Sequence, residues 1–402
     1  MIEVPALPAV TLGIVVFFLG AFLTRNVRFL QEFSIPEPVS GGLVVALATW
    51  LVYATLDIKI TFDLAARDEF LVIFFATVGL NARVKDLGKG GFLLATLLMI
   101  AIFLMVVQNC IGVLGAFLFD LPTPVAVLIG SASLIGGHGT SIAWGTTIAE
   151  TTGFAAAPEI GIASATLGLV AAALLGGPIA KLLIERNGLE GGSERVLTVG
   201  LPHPDEESDG PEPRINHISI MRVLLWTNVA VMLGYLLDES LQTFGIKLPL
   251  FVSCLFVGIA LSNLVPLIFR KIHFPSRTRA MAIVSDYTLS IFLAMSLMSM
   301  QLWTLEGLGG PLLFVLVLQV GAVVLLTVFL FFRLLGRDYT AAVLCAGLAG
   351  FTLGATPTAM ANMSSVTKFY GPAPLAFIVL PLVSAFFIDI ANAVVIKLFL
   401  LL

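Results

Sequence analysis

Twelve apolar runs lie along this chain, six on either side of a polar stretch, and they leave few folds open. They fall at about 6–24, 38–56, 69–84, 91–119, 124–150 and 157–184, then at about 219–238, 248–268, 281–302, 310–335, 340–368 and 372–400. A run of roughly 20 apolar residues spans the hydrocarbon core of a bilayer. In lipid every backbone N–H and C=O must be satisfied internally, so such runs become helices. Composition agrees: 58% of the residues are apolar and only 11% charged, where a soluble domain carries about 25% charged residues. A soluble enzyme is excluded.

The formal charge of −4 belongs to the polar stretch alone. Residues 186–217 hold seven acids (Glu190, Glu194, Asp205, Glu206, Glu207, Asp209, Glu212) against Arg186, Arg195 and Arg214, and the rest of the chain balances at 18 acids and 18 bases. This Pro-, Gly- and acid-rich segment reads as a flexible linker between two membrane halves, 1–185 and 218–402. No basic field points to nucleic acid. Cys110, Cys254 and Cys345 lie in separate apolar runs and read as small buried hydrophobes, without disulfide or metal spacing. The first run is preceded by Glu3 and followed by Arg25 and Arg28, the reverse of a signal peptide's charge order, so it is expected to stay as the first helix.

The halves repeat. At a shift of 216, Ala126-Val127-Leu128 answers Ala342-Val343-Leu344, Thr140 answers Thr356, Ala157-Pro158 answers Ala373-Pro374 and Lys181 answers Lys397. A Pro-x-x-Val-Ser also recurs, ending at Ser40 and Ser253. The fifth run of each half is crowded with Gly, Ser, Thr and Pro, around 131–143 and 349–361. Each Gly costs a helix about 1 kcal/mol and Pro about 3 relative to Ala. Broken segments at corresponding positions point to re-entrant hairpins rather than spans.

Basic residues decide the topology. If each fifth run enters and returns, with the N-terminus outside, 17 Lys and Arg fall inside and only Lys59, Arg67, Lys247 and Lys397 remain outside. If the fifth runs cross, the cluster Arg270, Lys271, Arg277 and Arg279 lands outside and the positive-inside bias largely collapses. The expected fold is therefore an all-α integral membrane protein with two inverted repeats of five transmembrane helices, each with one re-entrant hairpin. Both termini lie outside and the linker in the cytoplasm.

Five stretches resemble one family, the bacterial sodium/glutamate symporters: Ile35-Pro-Glu-Pro-Val-Ser-Gly-Gly-Leu43, Phe74-Phe-Ala-Thr-Val-Gly-Leu-Asn-Ala82, Gly136-Gly-His-Gly-Thr140, Leu353-Gly-Ala-Thr-Pro-Thr-Ala359 and Phe386-Phe-Ile-Asp-Ile-Ala-Asn392. The resemblance runs from the first helix to the last and spares only the linker. Ile135, Ser141 and Thr352 are small departures that bear on substrate preference. The resemblance implies sodium-coupled uptake of L-glutamate through an inner membrane, a homodimer with moving transport domains, and Na+ as coupling ion without any cofactor.

Glutamate brings two carboxylates and an ammonium. Hairpin tips offer unpaired N–H groups at helix N-termini, which attract carboxylate, and carbonyls and hydroxyls that suit sodium. The tips Gly136, Gly137, His138, Gly139, Thr140 and Gly354, Ala355, Thr356, Pro357, Thr358 are therefore the first candidates for cargo. The competing reading is that their small residues only allow close helix packing. Asp389 is the one acid in the last run, with Asn392 nearly one turn on. It reads as a sodium ligand, with Thr356, Thr358 and hairpin carbonyls, or as the binder of the substrate ammonium. A structural hydrogen bond is the alternative. Thr77 and Asn81 share a helix face and could line the same cavity, although capping explains Asn81 equally well. Gln108 and Asn109 are adjacent and cannot share a face, so at least one is expected to bond between helices. Glu37 suits the first turn of a helix, and His138, without metal partners, is expected to orient its tip.

No Lys or Arg falls near mid-membrane in this topology, which suits a substrate of net charge −1 accompanied by sodium better than a tricarboxylate. Other readings are a carrier of another organic anion, a proton-coupled exchanger with Asp389 as proton carrier, and a passive channel. A membrane-embedded enzyme finds no HExxH, Gly-x-Ser-x-Gly or paired catalytic acids.

Overall fold

The structure, a computed structural model, describes residues 2–33, 35–82, 84–191, 215–243, 250–268, 274–276, 278–305 and 309–401. Most of the linker, and the bases Arg270, Lys271 and Arg277 on which the topology partly rests, lie outside the described residues.

The first half runs α1 (Ala6–Asn26), α2 (Arg28–Glu32), α3 (Glu37–Leu56), α4 (Ala65–Asn81) and α5 (Val84–Leu118). A 3-10 turn at Thr123–Val127 then leads into α6 (Ser131–Leu134), α7 (Gly137–Thr152) and the long α8 (Ala157–Asn187). The second half runs α9 (His217–Thr243), α10 (Leu250–Ile268), α11 (Arg279–Met298), α12 (Gly309–Leu326) and, after a π turn, α13 (Phe332–Leu334). It closes with α14 (Tyr339–Leu353), α15 (Thr356–Tyr370), α16 (Pro374–Leu382) and α17 (Ile388–Leu400), the last two joined by a second π turn at Val383–Phe387. The all-helical expectation needs one amendment. β1 (Ile2–Val4) and β2 (Ile60–Phe62) pair in parallel, Ile2 opposite Ile60, and tie the start of the chain to the loop after α3.

Among the described residues, eight helices are individually long and apolar enough to cross a membrane. Two expected spans fall outside that set for physical reasons. α4 has only 17 residues, about 26 Å at 1.5 Å per residue, and the last span is divided by the π turn and by Pro381.

Local chemistry sets the helix boundaries. Glu37 and Pro38 open α3, where a missing N–H costs nothing and an acid faces the positive end of the helix dipole. Thr278 accepts the Met281 N–H (3.3 Å) at the start of α11, and Asp338 accepts that of Ala341 (2.7 Å) at the start of α14.

Helices sort into two bundles. In one, α1 packs on α3 and α9 on α10, while α11 lies on α1 and α3 as α4 lies on α9 and α10. Each of these pairs has a counterpart with the halves exchanged. The α1–α3 crossing brings backbones together: a Cβ on Gly41 would lie 2.9 Å from the Gly20 nitrogen, so only glycine fits. The other bundle holds α5, α6, α7, α8, α12, α14, α15, α16 and α17, with α12 on α8 and α17 on α5. Between bundles the backbones approach at α11 with α15, α3 with α8, and the turn Leu302–Leu305 with α8, and one apolar core is continuous across them, with Phe74, Phe75, Leu289 and Phe292 clustered with Leu134 and Leu353. Cys110 is exposed rather than buried, while Cys254 and Cys345 are buried as their apolar runs led us to expect.

Candidate functional site

Both interrupted segments fold back on themselves within the second bundle. Hairpin 2 is the simpler. α14 ends at Leu353, the chain turns through Gly354 and Ala355 in non-helical conformations, and α15 begins at Thr356. Pro357 stands in the first turn of α15, a position that needs no N–H. The two arms pack closely: a Cβ on Gly350 would fall 2.5 Å from the Ala359 Cα.

Hairpin 1 descends by the 3-10 turn and the single turn of α6, reverses at Ile135–Gly136, and returns as α7. Gly137 takes φ 69°, a left-handed conformation that glycine adopts without a Cβ clash. The Ser141 hydroxyl donates to the Ser133 hydroxyl (2.9 Å) and stitches the arms together. The two hairpins are not exact copies. Thr356 opens α15, whereas its sequence counterpart Thr140 lies inside α7, three residues past its start.

The tips meet on α8. A Cβ on Gly168 would sit 2.6 Å from Leu134 Cδ2, at the end of α6, and inside contact with the Leu353 carbonyl oxygen at the end of α14. Apolar side chains, Leu134, Leu169 and Ala172, close the junction itself, with polar groups beside them. His138 Nε2 lies 3.1 Å from Thr166 Oγ1 of α8. That hydroxyl already donates to Ile162 O (2.9 Å), so it accepts from His138, and Nε2 carries the proton. On the other side Thr356 Oγ1 donates to the Ser384 carbonyl (3.2 Å) within the second π turn, where a widened ring frees main-chain groups. Asn362 ties hairpin 2 to α8 through the Ala172 carbonyl (2.9 Å).

The remaining candidates divide. Asn392 is buried and donates to the Ser131 carbonyl of hairpin 1 (3.0 Å). Asp389, three residues earlier in the same helix, lies at its exposed edge beside Ile390. Thr77 and Asn81 are buried in α4, whose main neighbours are α10, α11 and α9 in the first bundle, and Thr77 bonds the Phe74 carbonyl (2.6 Å). Their α4 neighbours Phe74, Phe75 and Val78 share one apolar core with Leu134 and Leu353 of the tips. Gln108 and Asn109 both bond between elements. Thr166, Gln319, Asn362 and Ser384 were not singled out from the sequence, and the one available signal was a polar residue inside an apolar run.

Each tip ends in a helix N-terminus, at α7 and at α15, whose first N–H groups lack intrahelical partners. Such ends attract anions, while hydroxyls and freed carbonyls suit a hard monovalent cation. Among the described residues no three His, Cys, Asp or Glu come together as a metal cluster.

An apolar helical bundle with two interrupted hairpins meeting in its interior is the construction of a secondary transporter. Residues 2–372 match the family model described as sodium/glutamate symporter. The sodium/glutamate symporter of Escherichia coli (strain K12) is 38% identical over 405 residues, covering 100% of this chain and 99% of the relative. That of Haemophilus influenzae is 38% identical over 390 residues, covering 96% and 95%. The chain belongs to the sodium/glutamate symporter family. Among solved structures, the sodium proton antiporter MjNhaP1 from Methanocaldococcus jannaschii covers 96% of this chain and 95% of its own, at 14% identity and a TM-score of 0.42, too loose a likeness to place residues.

Proposed function

We propose that this protein carries L-glutamate into the cell together with Na+, by alternating access, at a site formed where the two hairpin tips meet on α8. The observation that carries the site is the junction at Gly168, where Leu134 and Leu353 close on one helix. The N-termini of α7 and α15 then face the substrate carboxylates. Gly136, Gly137, His138, Gly139 and Thr140 line one side, and Gly354, Ala355, Thr356, Pro357 and Thr358 the other. Thr356, Thr358 and freed carbonyls take Na+. Asp389, exposed on α17, is assigned to Na+ or to the substrate ammonium, and Asn392 holds hairpin 1 in place.

Contacts that recur with the halves exchanged support an inverted repeat, and the charge split of 17 against 4 supports outside termini, an inner cytoplasmic linker and re-entrant hairpins in the cell inner membrane. The family resemblance implies an elevator-like motion of the hairpin bundle against the other, within a homodimer.

Labelled L-glutamate uptake into proteoliposomes, with sodium, potassium and pH gradients imposed separately, tests the function. Accumulation should follow the sodium gradient and saturate. Uphill uptake indifferent to sodium, or flux without accumulation, would sink the proposal.

A further inference from the structure

Two adjacent amides on α5 reach different hairpins. Gln108 Nε2 donates to the Thr352 carbonyl (2.7 Å), in the last turn of α14 before hairpin 2 reverses. Asn109, turned about 100° around the same helix, accepts through Oδ1 the N–H of Ser131 (2.8 Å), the first residue of α6 in hairpin 1. Both side chains are buried, at 1% and 0% exposure. A helix that stops inside an apolar bundle leaves carbonyls at its C-terminus and N–H groups at its N-terminus without partners. The two amides satisfy one such group in each hairpin.

Neighbouring amides reinforce the arrangement. Gln319 of α12 donates to the carbonyls of Gln108 (2.9 Å) and Ile129 (3.0 Å), and Asn392 holds the Ser131 carbonyl. The Ser131 residue is thus gripped at its N–H from α5 and at its C=O from α17. Each hairpin could have been satisfied by a separate helix. Sequence neighbours on one rigid helix instead fix both hairpins to points one residue apart, about 3.8 Å between Cα atoms.

We propose that Gln108 and Asn109 are positioning residues for transport: together they hold the two hairpin tips in one register on α5, so that both sides of the cargo site are presented as a unit. The proposal rests on the sodium-coupled glutamate reading and on the tips as the cargo site. It requires loss of either amide to weaken both glutamate and sodium, although neither amide needs to touch them. It also requires the two losses to overlap, because a register released at one end is already lost.

The full chain is reconstituted as Gln108→Met, Asn109→Leu, Asn109→Asp and the Met/Leu double variant. Half-saturation for glutamate and for Na+, and maximal rate per folded molecule, are measured under a sodium gradient. Gln108→Met and Asn109→Leu should each raise both half-saturations about tenfold, and the double should exceed the worse single by no more than about twofold. Asn109→Asp keeps the acceptor for Ser131 and should stay within about threefold of wild type. Multiplying effects in the double, an Asn109→Asp as impaired as Asn109→Leu, or unchanged half-saturations with only the folded yield reduced would each overturn the strut. If Asn109→Leu does not fold, Gln108→Met decides: it must weaken Na+ and glutamate together, and wild-type values there refute the idea. Wild-type uptake that ignores sodium strikes the functional reading itself, so the two failures are distinct.

Discussion

Replacing Gly168 by alanine adds one methyl where the two hairpin tips close on α8. The new Cβ would lie 2.6 Å from Leu134 Cδ2, against a carbon–carbon optimum of about 3.5–4.0 Å. Leu134 can swing aside, but the other obstacle is the Leu353 carbonyl, which is main chain and fixed to the end of α14. Relief therefore requires the tips to move by about 1 Å relative to α8. Overpacking of this kind costs about 1–3 kcal/mol, offset by about 1 kcal/mol because alanine favours the helix over glycine. Global stability should fall by no more than about 2 kcal/mol. Transport should suffer more, since a 1 Å displacement of binding groups can cost about 100-fold. Glutamate half-saturation in proteoliposomes is expected to rise about 10- to 100-fold, with a modest loss of thermal stability in detergent. Gly321→Ala in α12 is the control: its Cβ meets nothing within 4 Å, so uptake should be unchanged. A Gly168→Ala protein with half-saturation within about twofold of wild type would mean that the tips do not seat on α8, and the reasoning fails.

Three further substitutions probe the same hairpins. Thr356→Ala removes the donor to the Ser384 carbonyl and should raise the Na+ half-saturation several-fold, a shift of about 1 kcal/mol, read from uptake against sodium concentration. Asn362→Leu breaks the tie from hairpin 2 to α8 and should lower stability by about 0.6–1.7 kcal/mol, the range for polar bonds between membrane helices, seen as a reduced melting temperature. Tyr339→Phe deletes the hydroxyl that donates to the Gly371 carbonyl and joins the outer ends of hairpin 2. Hydrogen exchange around 371–373 should accelerate while glutamate half-saturation holds.

Periodicity and punctuation made most of the fold legible. Gly354 and Pro357 announced the break between α14 and α15 because no helix interior accommodates them cheaply. Around hairpin 1, glycines at 136, 137 and 139 mark a weak helix without saying where it turns, and the reversal at Ile135–Gly136 leaves Thr140 inside α7. Asp389 and Asn392 show a second limit. Their spacing puts them within about 60° of each other around α17 but does not say which of the two points inward, and the structure buries Asn392 while Asp389 is exposed. Gln108 and Asn109 could be flagged as polar residues in an apolar run, but their partners lie 244 and 22 residues away. No local pattern encodes contacts of that separation.

The charge arrangement at the tips bears on how sodium and glutamate cooperate. Neither tip sequence contains Lys or Arg. Arg67 is engaged with Asp68 at 2.6 Å near the start of α4, and Lys181 lies over the Phe33 ring toward the C-terminal end of α8. The positive potential at the junction comes from two helix N-termini, each equivalent to about half an elementary charge, and from Arg67, whose charge reaches His138 at the tip of hairpin 1. Together they offset the net −1 of glutamate. Each Na+ that binds then gives the loaded site a net positive charge, and inward movement is drawn by an inside-negative potential at about 2.3 kcal/mol per charge per 100 mV. If more than one Na+ accompanies each glutamate, uptake carries current. Imposing an inside-negative potassium diffusion potential should raise accumulation, and collapsing it with valinomycin at equal potassium should return accumulation to the level set by sodium alone. Accumulation that ignores the potential would show that carried charge is balanced, either by a single Na+ or by a counter-ion, and would overturn the electrogenic step while leaving sodium coupling intact.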